Sequence, residues 1–373
     1  MDRVEHPGLT QLRFGKYNAA YKQRLLQGGK ELYGFLAKQG IESAILSRSR
    51  ASKVDELLTS FLNKRLVSGS SRDCMIGKHA ILFIQICRPR LKGKLQTAWS
   101  TLKAWEEQRA SSYRAPLPIS LLVALVCRAN MHGFKGENGS CDKLWWKFSS
   151  LVLAGFFGLL RPGELFRLRK QDVGLPNSIS LGSLFASVRV QQPKNARQMG
   201  RHQFAIIRNV DAVNWLSWCT SCCKEPNSFL WPSTPQKFRK MFKQLCSELK
   251  ISHCKFTPAS LRAGGATWEI DRDSCNIAQL RFEGRWANLR SLEHYIQVAR
   301  AQQLLLSIPE ETSQRLRRWI GDHFFLLTLP PFLSQEVPSR FLLESTPTLD
   351  CKPSDVVVAC RGWGNHQGSS KAV

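Results

Sequence analysis

Three side chains that lie far apart in the sequence could together cleave a phosphodiester. Arg161 follows an apolar helix predicted from Phe148 to Leu160, Arg262 is predicted in the first turn of a later helix, and Tyr295 lies further along the chain. Phosphoryl transfer spreads negative charge over the non-bridging oxygens, and two guanidiniums can bind those oxygens in a planar, bidentate way. Because a phenol has a pKa of about 10 in water, a tyrosine nucleophile also needs nearby cations or a base. The same two arginines would serve both needs without a metal ion.

The order and spacing of these residues resemble the catalytic domain of the tyrosine recombinases, the phage-integrase family, and particularly the versions carried by eukaryotic mobile elements. The first arginine of that family stands in a Leu-Arg-x-x-Glu setting, which Leu160, Arg161 and Glu164 match. The second arginine closes a His-x-x-Arg box, and Arg262 occupies that place. A Gly-His or Gly-Trp position follows in the family, and Trp286 matches it.

The resemblance also implies a role for each of these residues. Tyr295, nine residues after Trp286, is the expected nucleophile and would form a 3′-phosphotyrosyl link that frees a 5′ hydroxyl. Arg161 and Arg262 would hold the phosphate, with Trp286 and Glu164 as supporting residues. Because the bond energy is kept in the covalent intermediate, such an enzyme needs no ATP, metal or other cofactor. The implied function is site-specific DNA recombination or integration.

One position departs from the family pattern. Ala259 stands where the family usually carries a histidine that acts in proton transfer, and loss of a positioned acid or base typically costs about 100-fold to 10,000-fold in rate. His253 and His294 lie nearby in the sequence, but neither has the spacing of the family. The sequence therefore leaves two main functions open: an active recombinase, or a recombinase-derived DNA-binding protein that no longer transfers strands. A basic helical RNA-binding or scaffold protein, with an accidental match to the motifs, is a third alternative.

A β-hairpin is predicted between the two arginines, because the apolar pattern changes there from a helical to an alternating period. The predicted strands lie at Ile179, Leu181, Leu184 to Val190 and Phe204 to Ile207. In the resembling family, a hairpin at this point carries a lysine that donates a proton to the departing 5′ oxygen. Lys194, in the turn, is the candidate for that role, while Arg197 and Arg201 are candidates for phosphate contacts.

The composition favours a nucleic-acid partner. Fifty-four lysines and arginines against 28 aspartates and glutamates give a formal charge of +26, and such an excess attracts polyanions. The basic residues are spread along the chain rather than gathered in a tail, which favours a folded basic groove over a flexible arm. A merely solubilising basic surface is the alternative. The resemblance narrows the partner to double-stranded DNA and implies a homo-oligomer assembled on that DNA.

The hydrophobic content of 43% is sufficient for cores of normal size, and 373 residues leave room for two ordinary domains. The predicted fold is mainly α with a small β-hairpin or sheet: a helical core-binding domain followed by a tyrosine-recombinase-like α+β catalytic domain. The predicted segments are a helical N-terminal extension at 1–50, the DNA-binding domain at 51–115, the catalytic domain at 116–309 and a partly disordered C-terminal extension at 310–373. In the second segment, Lys92, Lys94 and Lys103 could contact DNA or form an ordinary solvated face.

Two further predictions concern the course of helices. A helix is predicted from Asn18 to Gln39, with Gly28 and Gly29 as a point where it could divide into two. Another is predicted from Ser291 to Leu306, and it would carry Tyr295.

A pair of glycines lies inside the helix predicted to carry the second arginine. Gly264 and Gly265 follow Arg262 closely, and each costs about 1 kcal/mol relative to alanine in a helix. Close approach of another backbone or of a DNA phosphate would compensate for that cost.

Several classes of protein are disfavoured. The first twenty residues lack the apolar core of a signal peptide, and the longest apolar run, Phe148 to Leu160, is shorter than the roughly 18 residues of a membrane span. Twelve cysteines in an unsecreted chain indicate a reducing compartment. The cluster from Cys219 to Cys223 could bind zinc together with Cys246, His253 and Cys254, but the irregular spacing of the second half favours free, partly buried thiols. A nuclear location is inferred from the expected DNA substrate, since the sequence shows no targeting signal.

Overall fold

The computed structural model describes residue 15 and residues 17–67, 70–108, 114–134, 142–176, 185–193, 196, 200, 202–272 and 276–328. The chain separates into two compact units, Met1–Ser112 and Tyr113–Val373. Both units are built mainly from α-helices, and the second contains a small antiparallel sheet, so the predicted fold class is confirmed. The boundaries of the four predicted segments stay predictions. Within the ranges given above, no helix combines the length and apolar character needed to cross a membrane.

The first unit is a group of helices around an aromatic and aliphatic core. Its helices are Ala19–Lys38 (α1), Ile45–Arg48 (α2), Ala51–Leu66 (α3), Ser71–Cys87 (α4) and Gln96–Gln108 (α5), with a 3-10 turn at Pro89–Leu91. Apolar residues recur along α3 and α5 at helical spacing, so one face of each helix is buried. The shared core includes Leu32, Phe61, Phe83 and Trp105.

Helix α1 runs without a break through its two central glycines, so the predicted division of this helix is wrong. A β-carbon at Gly28 would meet the backbone nitrogen of Ala80 at 2.6 Å, and one at Gly29 would meet the Phe83 ring at 2.7 Å. The glycines therefore allow α1 to pack directly against α4. That packing offsets the low helix propensity of glycine.

The second unit is arranged around one buried helix. Its helices are Ile119–Phe134 (α6), Lys143–Phe157 (α7), Pro162–Leu165 (α8), Val210–Ser221 (α9), Pro235–Glu248 (α10), Ala259–Asp271 (α11), Ile277–Glu283 (α12), Leu289–Glu293 (α13), Val298–Leu306 (α14), Glu310–His323 (α15) and Phe325–Thr328 (α16), with 3-10 turns at Lys170–Asp172 and Ser252–Cys254. All residues of α7 from Phe148 to Phe156 are buried, and α6, α9 and α11 pack against it. The prediction of a buried helix in this segment is confirmed.

A three-stranded antiparallel sheet completes the second unit. Its strands are Val173–Gly174 (β1), Ala186–Arg189 (β2) and Phe204–Ile207 (β3), paired in the order β1, β2, β3. Buried and more exposed residues alternate along β2, so one face of the strand packs on the core. The predicted hairpin of β2 and β3 is confirmed. The other predicted strand positions, Ile179, Leu181 and Leu184, lie outside the described residues.

Helix α11 approaches two other backbones very closely through its glycine pair. A β-carbon at Gly264 would lie 2.1 Å from the carbonyl oxygen of Leu117, and one at Gly265 would lie 2.1 Å from that of Phe156. No side chain fits at either distance. Close approach of another backbone, one of the two predicted reasons for the glycines, is therefore confirmed, and it fixes the middle of α11 against the end of α7.

The last described helices, α15 and α16, pack against α6. The side-chain amide of Asn130 donates to the carbonyl oxygen of Leu326 at 2.7 Å, and the indole of Trp215 donates to that of Leu327 at 2.6 Å. Leu316 is buried in the same core. Residues up to 328 therefore contribute to the core of the second unit, while 329–373 lie outside the described residues.

Candidate active site

The turn that follows α7 delivers Arg161 to the site. Leu159 has a left-handed backbone with φ of 49°, and Arg161 then caps the start of α8, with Pro162 in the first turn. The Glu164 carboxylate accepts hydrogen bonds from the Arg161 backbone nitrogen at 2.9 Å and from Arg161 Nη1 at 2.6 Å. The side chain of Arg161 is 23% exposed, so its guanidinium is held in place and still accessible to a ligand.

Helix α11 carries Arg262 into the interior of the second unit, where only 1% of the residue is exposed. Its Nη1 donates to the carbonyl oxygen of Leu159, and its Nη2 donates to that of Gly284. The guanidinium carbon lies 4.1 Å from the centroid of the Trp286 ring and 5.3 Å from that of the Tyr295 ring. Such distances are typical of cation–π contacts. Three of the predicted catalytic residues therefore lie in direct contact.

Tyr295 lies in a turn between α13 and α14, so the predicted continuous helix from Ser291 to Leu306 is wrong. The backbone nitrogen of Gln297 donates to Thr267 Oγ1 at 3.1 Å, and that hydroxyl donates to the carbonyl oxygen of Tyr295 at 3.0 Å. The half-buried Tyr295 ring lies 5.3 Å from the Trp286 ring. The Thr267 hydroxyl thus forms hydrogen bonds with the Tyr295 carbonyl and the Gln297 backbone nitrogen, which would bond to other backbone groups in a continuous helix. These bonds fix the turn that carries the phenol.

Arg285 belongs to the same cluster and was missed as a site residue from the sequence. It is only 3% exposed and has a left-handed backbone with φ of 58°. Its Nη2 donates to the carbonyl oxygen of Leu159 at 3.0 Å and to Glu164 Oε2 at 3.3 Å. The signal available in the sequence is its place between Gly284 and Trp286, which does not distinguish a buried arginine from an exposed one.

Burial and neighbouring charges shift the pKa values of the cluster. Burial lowers the pKa of Arg262 well below its usual value, and the positive charges of Arg285 and Arg161 lower it further. Glu164 and Tyr295 oppose that shift. Burial alone would raise the pKa of Glu164, but Arg285 and Arg161 lower it overall, so the carboxylate stays ionised. Three guanidiniums within electrostatic reach of one another therefore share one carboxylate, and positive charge is in excess.

This arrangement suits an anion with several oxygen atoms. Arg262 Nε and Trp286 Nε1 are buried donors without a hydrogen-bond partner, and a buried unpaired donor costs about 1–3 kcal/mol. An oxyanion could satisfy donors of this kind and would relieve the repulsion among the arginines. The nearby guanidiniums would also stabilise a phenolate at Tyr295. The cluster can thus bind a phosphate group and favour an attacking phenolate beside it.

Asp172 fixes the base of the hairpin that is predicted to carry the lysine. This buried carboxylate accepts hydrogen bonds from Gln191 Nε2 at 2.6 Å and from the Arg169 backbone nitrogen at 3.1 Å. It therefore ties the end of β2 to the segment that precedes β1. Lys194 lies outside the described residues, as do the two predicted phosphate ligands, Arg197 and Arg201, and their roles stay predictions.

The remaining predicted positions have simple environments. Ala259 is the first residue of α11, is half-buried and offers no group for proton transfer. Lys92, Lys94 and Lys103 lie in the first unit with exposed side chains. Lys103 forms an exposed ion pair with Glu107, with 3.5 Å between Nζ and Oε1, and pairs of this kind contribute little to stability. DNA contact by these lysines stays a prediction.

The cysteine cluster forms no metal site in the part of the chain that the structure describes. No group of three or more His, Cys, Asp or Glu side chains is arranged there to hold a metal ion. Cys219, Cys222 and Cys223 form no disulfide, and burial raises the pKa of Cys219 to about 12. Because the thiolate is the reactive and metal-binding form, Cys219 acts as a core side chain.

Comparisons with known proteins identify structures but no sequence family. No protein-family model and no curated protein matches the chain. The Tn1549 transposon integrase in complex with transposon right end DNA is similar with a TM-score of 0.49 and 15% identity, over 79% of this chain and 96% of that one. The XerH site-specific recombinase bound to difH has a TM-score of 0.39 and 12% identity, over 82% and 99%. A lambda integrase dimer bound to a COC′ core site has a TM-score of 0.42 and 11% identity, over 78% and 84%. Likenesses at this level assign no function to the chain.

Proposed function

We propose that this chain binds double-stranded DNA and acts as a site-specific recombinase or integrase through a 3′-phosphotyrosyl intermediate at Tyr295. The observation that carries the proposal is the position of the Arg262 guanidinium, which contacts the rings of Trp286 and Tyr295. Arg161 lies within electrostatic reach of the same guanidinium. A phosphate held by the two arginines would lie beside the phenol, and the order of these residues in the sequence matches that of tyrosine recombinases.

In the proposed reaction, Tyr295 Oη forms a bond to phosphorus and the bond between phosphorus and the 5′ oxygen breaks. The departing 5′ oxygen accepts a proton, for which Lys194 is the proposed donor, and the phenol proton passes to solvent. Arg161 and Arg262 stabilise the charge on the non-bridging oxygens as the bonds change. A 5′ hydroxyl from another strand then attacks the phosphotyrosine and releases the phenol. No external energy source is needed, because one phosphoester replaces another at each step.

The site is closed around its central arginine in the described structure. Arg262 is buried, and both of its Nη atoms donate to backbone carbonyls. The Tyr295 ring also lies against this guanidinium, at 5.3 Å, and we infer that it moves away when phosphate binds. The location of Tyr295 in a turn between two short helices permits that movement at lower cost than a continuous helix would, since fewer helical hydrogen bonds must break.

A suicide substrate tests the proposal. The purified full-length chain is incubated with a pool of nicked duplexes of randomised sequence, from which the freed strand diffuses away after cleavage. We expect denaturation-resistant adducts of protein and DNA, with the phosphate mapped to Tyr295 by mass spectrometry. Tyr295→Phe should abolish the adduct, and Tyr21→Phe in the first unit is the matched control that should retain it. Adducts that survive Tyr295→Phe would rule out this nucleophile.

The second candidate function is that of a recombinase-derived DNA-binding protein without strand transfer. The alanine at position 259 favours it, because the family histidine that acts in proton transfer is absent. DNA binding that weakens with salt, without any adduct on the suicide substrate, would support this candidate and contradict the first.

The setting of the activity is also a proposal. The net charge of +26 supports binding to nucleic acid, and a DNA substrate in a eukaryotic cell would place the chain in the nucleus. Strand exchange between two sites would require a homo-oligomer on DNA, and a mobile element is the proposed source of such an enzyme. Size measurement of the complex formed with a selected duplex tests the oligomer.

A further inference from the structure

Arg285 is buried and has a left-handed backbone conformation, which residues with a side chain rarely adopt. Non-glycine residues rarely adopt a φ near 58°, and they persist there only when the surrounding structure holds them. Leu159, which has a φ of 49°, is a second such residue, and its carbonyl oxygen accepts a hydrogen bond from Arg285 Nη2. Two disfavoured conformations thus meet at one hydrogen bond inside the candidate site. Strain of this kind clusters at functional sites.

The hydrogen bonds of Arg285 join the two predicted phosphate-binding arginines. On one side, Arg285 and Arg262 both donate to the carbonyl oxygen of Leu159. On the other side, Arg285 and Arg161 both form ion pairs with the carboxylate of Glu164. The guanidinium of Arg285 therefore shares an acceptor with each of the other two arginines. Its own Nη2 atom is committed to those acceptors and is not directed at a ligand.

The charge of Arg285 matters as much as its hydrogen bonds. Without Arg285, the negative charge of Glu164 would be balanced by Arg161 and Arg262, and less of their positive charge would act on a ligand. With Arg285 present, Glu164 is shared, and the cluster keeps its excess of positive charge. Ala259 supplies no charge on the neighbouring helix.

We propose that Arg285 is a positioning residue of the phosphate site: it neutralises Glu164 and fixes the Leu159 carbonyl, so that Arg161 and Arg262 act together on one phosphate group. The identity of that phosphate as a DNA phosphodiester rests on the proposed function. The charge balance itself does not, because any phosphate anion would report it.

The test is the affinity of the full chain for inorganic phosphate, measured by isothermal titration calorimetry in the wild type and in charge variants. Arg285→Gln removes one charge and should weaken binding about tenfold or more, because Glu164 would then offset more of the positive charge that Arg161 and Arg262 present to the anion. Arg285→Lys keeps the charge and should stay within about threefold of the wild type. The double variant with Arg285→Gln and Glu164→Gln restores the original charge balance and should recover most of the loss.

Lys250→Gln is the matched control, because Lys250 also has a left-handed backbone (φ 57°) but is exposed at the end of α10. It removes the same charge from the chain and should leave phosphate binding unchanged. Equal phosphate affinity of Arg285→Gln and the wild type would overturn the proposal. So would a double variant whose phosphate affinity is no higher than that of Arg285→Gln. A wild type that binds no phosphate would overturn it as well. If Arg285→Gln does not fold, the test uses Glu164→Gln. This variant removes the negative charge of the cluster, so the proposal requires it to bind phosphate more tightly than the wild type does.

Adduct formation on the suicide substrate is measured in parallel, so that two different failures can be told apart. A wild type that binds phosphate through Arg285 but forms no adduct contradicts the proposed recombinase activity and leaves the role of Arg285 supported. If the wild type and Arg285→Gln form adducts at the same rate and bind phosphate equally well, the role of Arg285 is contradicted and the proposed recombinase activity is not.

Discussion

Arg262 and Arg285 donate hydrogen bonds to the same acceptor, the carbonyl oxygen of Leu159. Two like charges thereby converge inside the second unit, where both residues are almost fully buried. Burial, together with the charges of Arg285 and Arg161, lowers the pKa of Arg262, which shows that the charged form is held at a cost in free energy. An anion bound at this place would lower that cost, as the proposed phosphate site requires.

The first prediction follows from that cost. Arg262→Met should abolish adduct formation but leave the free energy of unfolding within about 1 kcal/mol of the wild type, because removal of a repelled buried charge offsets the lost hydrogen bonds. Urea unfolding measures the stability. The neighbouring, fully buried Leu261 is the control, since Leu261→Ala should cost about 2–5 kcal/mol. A loss of that size in Arg262→Met would contradict the prediction.

The second prediction concerns pH. The pKa of Glu164 is lowered in the folded chain, so its carboxylate contributes stability above the unfolded pKa of about 4.3 and loses that contribution as the pH falls through the lower folded value. Glu164→Gln has no such group and should show a smaller loss of stability between pH 7 and pH 3 than the wild type. Urea unfolding at both pH values checks it. Glu248, whose pKa is also lowered, titrates in both proteins and cancels in the comparison. Parallel pH curves would contradict the prediction.

The parts of the site that follow from local sequence were predictable. A long apolar run followed by Pro162 and Gly163 indicates a buried helix that ends just before Arg161, and α7 and α8 have that arrangement. The hairpin was predictable from the alternating apolar pattern of its strands. The close approach at Gly264 and Gly265 was predictable because two glycines inside a helix leave room for another backbone.

Other features depend on contacts between residues that are distant in the sequence. The continuity of α1 through Gly28 depends on close packing against the backbone at Ala80, which leaves no space for a side chain there. The break at Tyr295 depends on the hydroxyl of Thr267, on a different helix. The burial of Arg285 depends on acceptors at the end of α7. Residue type alone carries no information about such partners.

Thr267 supports a third prediction. Thr267→Val keeps the shape of the side chain but removes the hydroxyl that holds the turn at Tyr295 and Gln297. We expect a stability loss of about 1–3 kcal/mol and an adduct rate reduced by about tenfold or more, because the phenol loses its fixed position. Thr220→Val is the control: Thr220 is equally buried, but its hydroxyl bonds only within its own helix, to Ser217. The rate of adduct formation should be unaffected there, and an equal fall in both variants would count against a positioning role for Thr267.

The fourth prediction addresses the departure at Ala259. This residue is half-buried at the first position of α11, three residues before Arg262, so a histidine introduced there would lie one helical turn from the guanidinium. If the missing proton-transfer group is what limits the reaction, Ala259→His should raise the rate of adduct formation by about 100-fold to 10,000-fold. Single-turnover kinetics on the suicide substrate measure the rate. Thr257→His places the same side chain at an exposed position outside the helix and should give no increase. A folded Ala259→His variant with the wild-type rate would mean that the phenol proton already has another route, and the histidine of the family pattern would be dispensable in this chain.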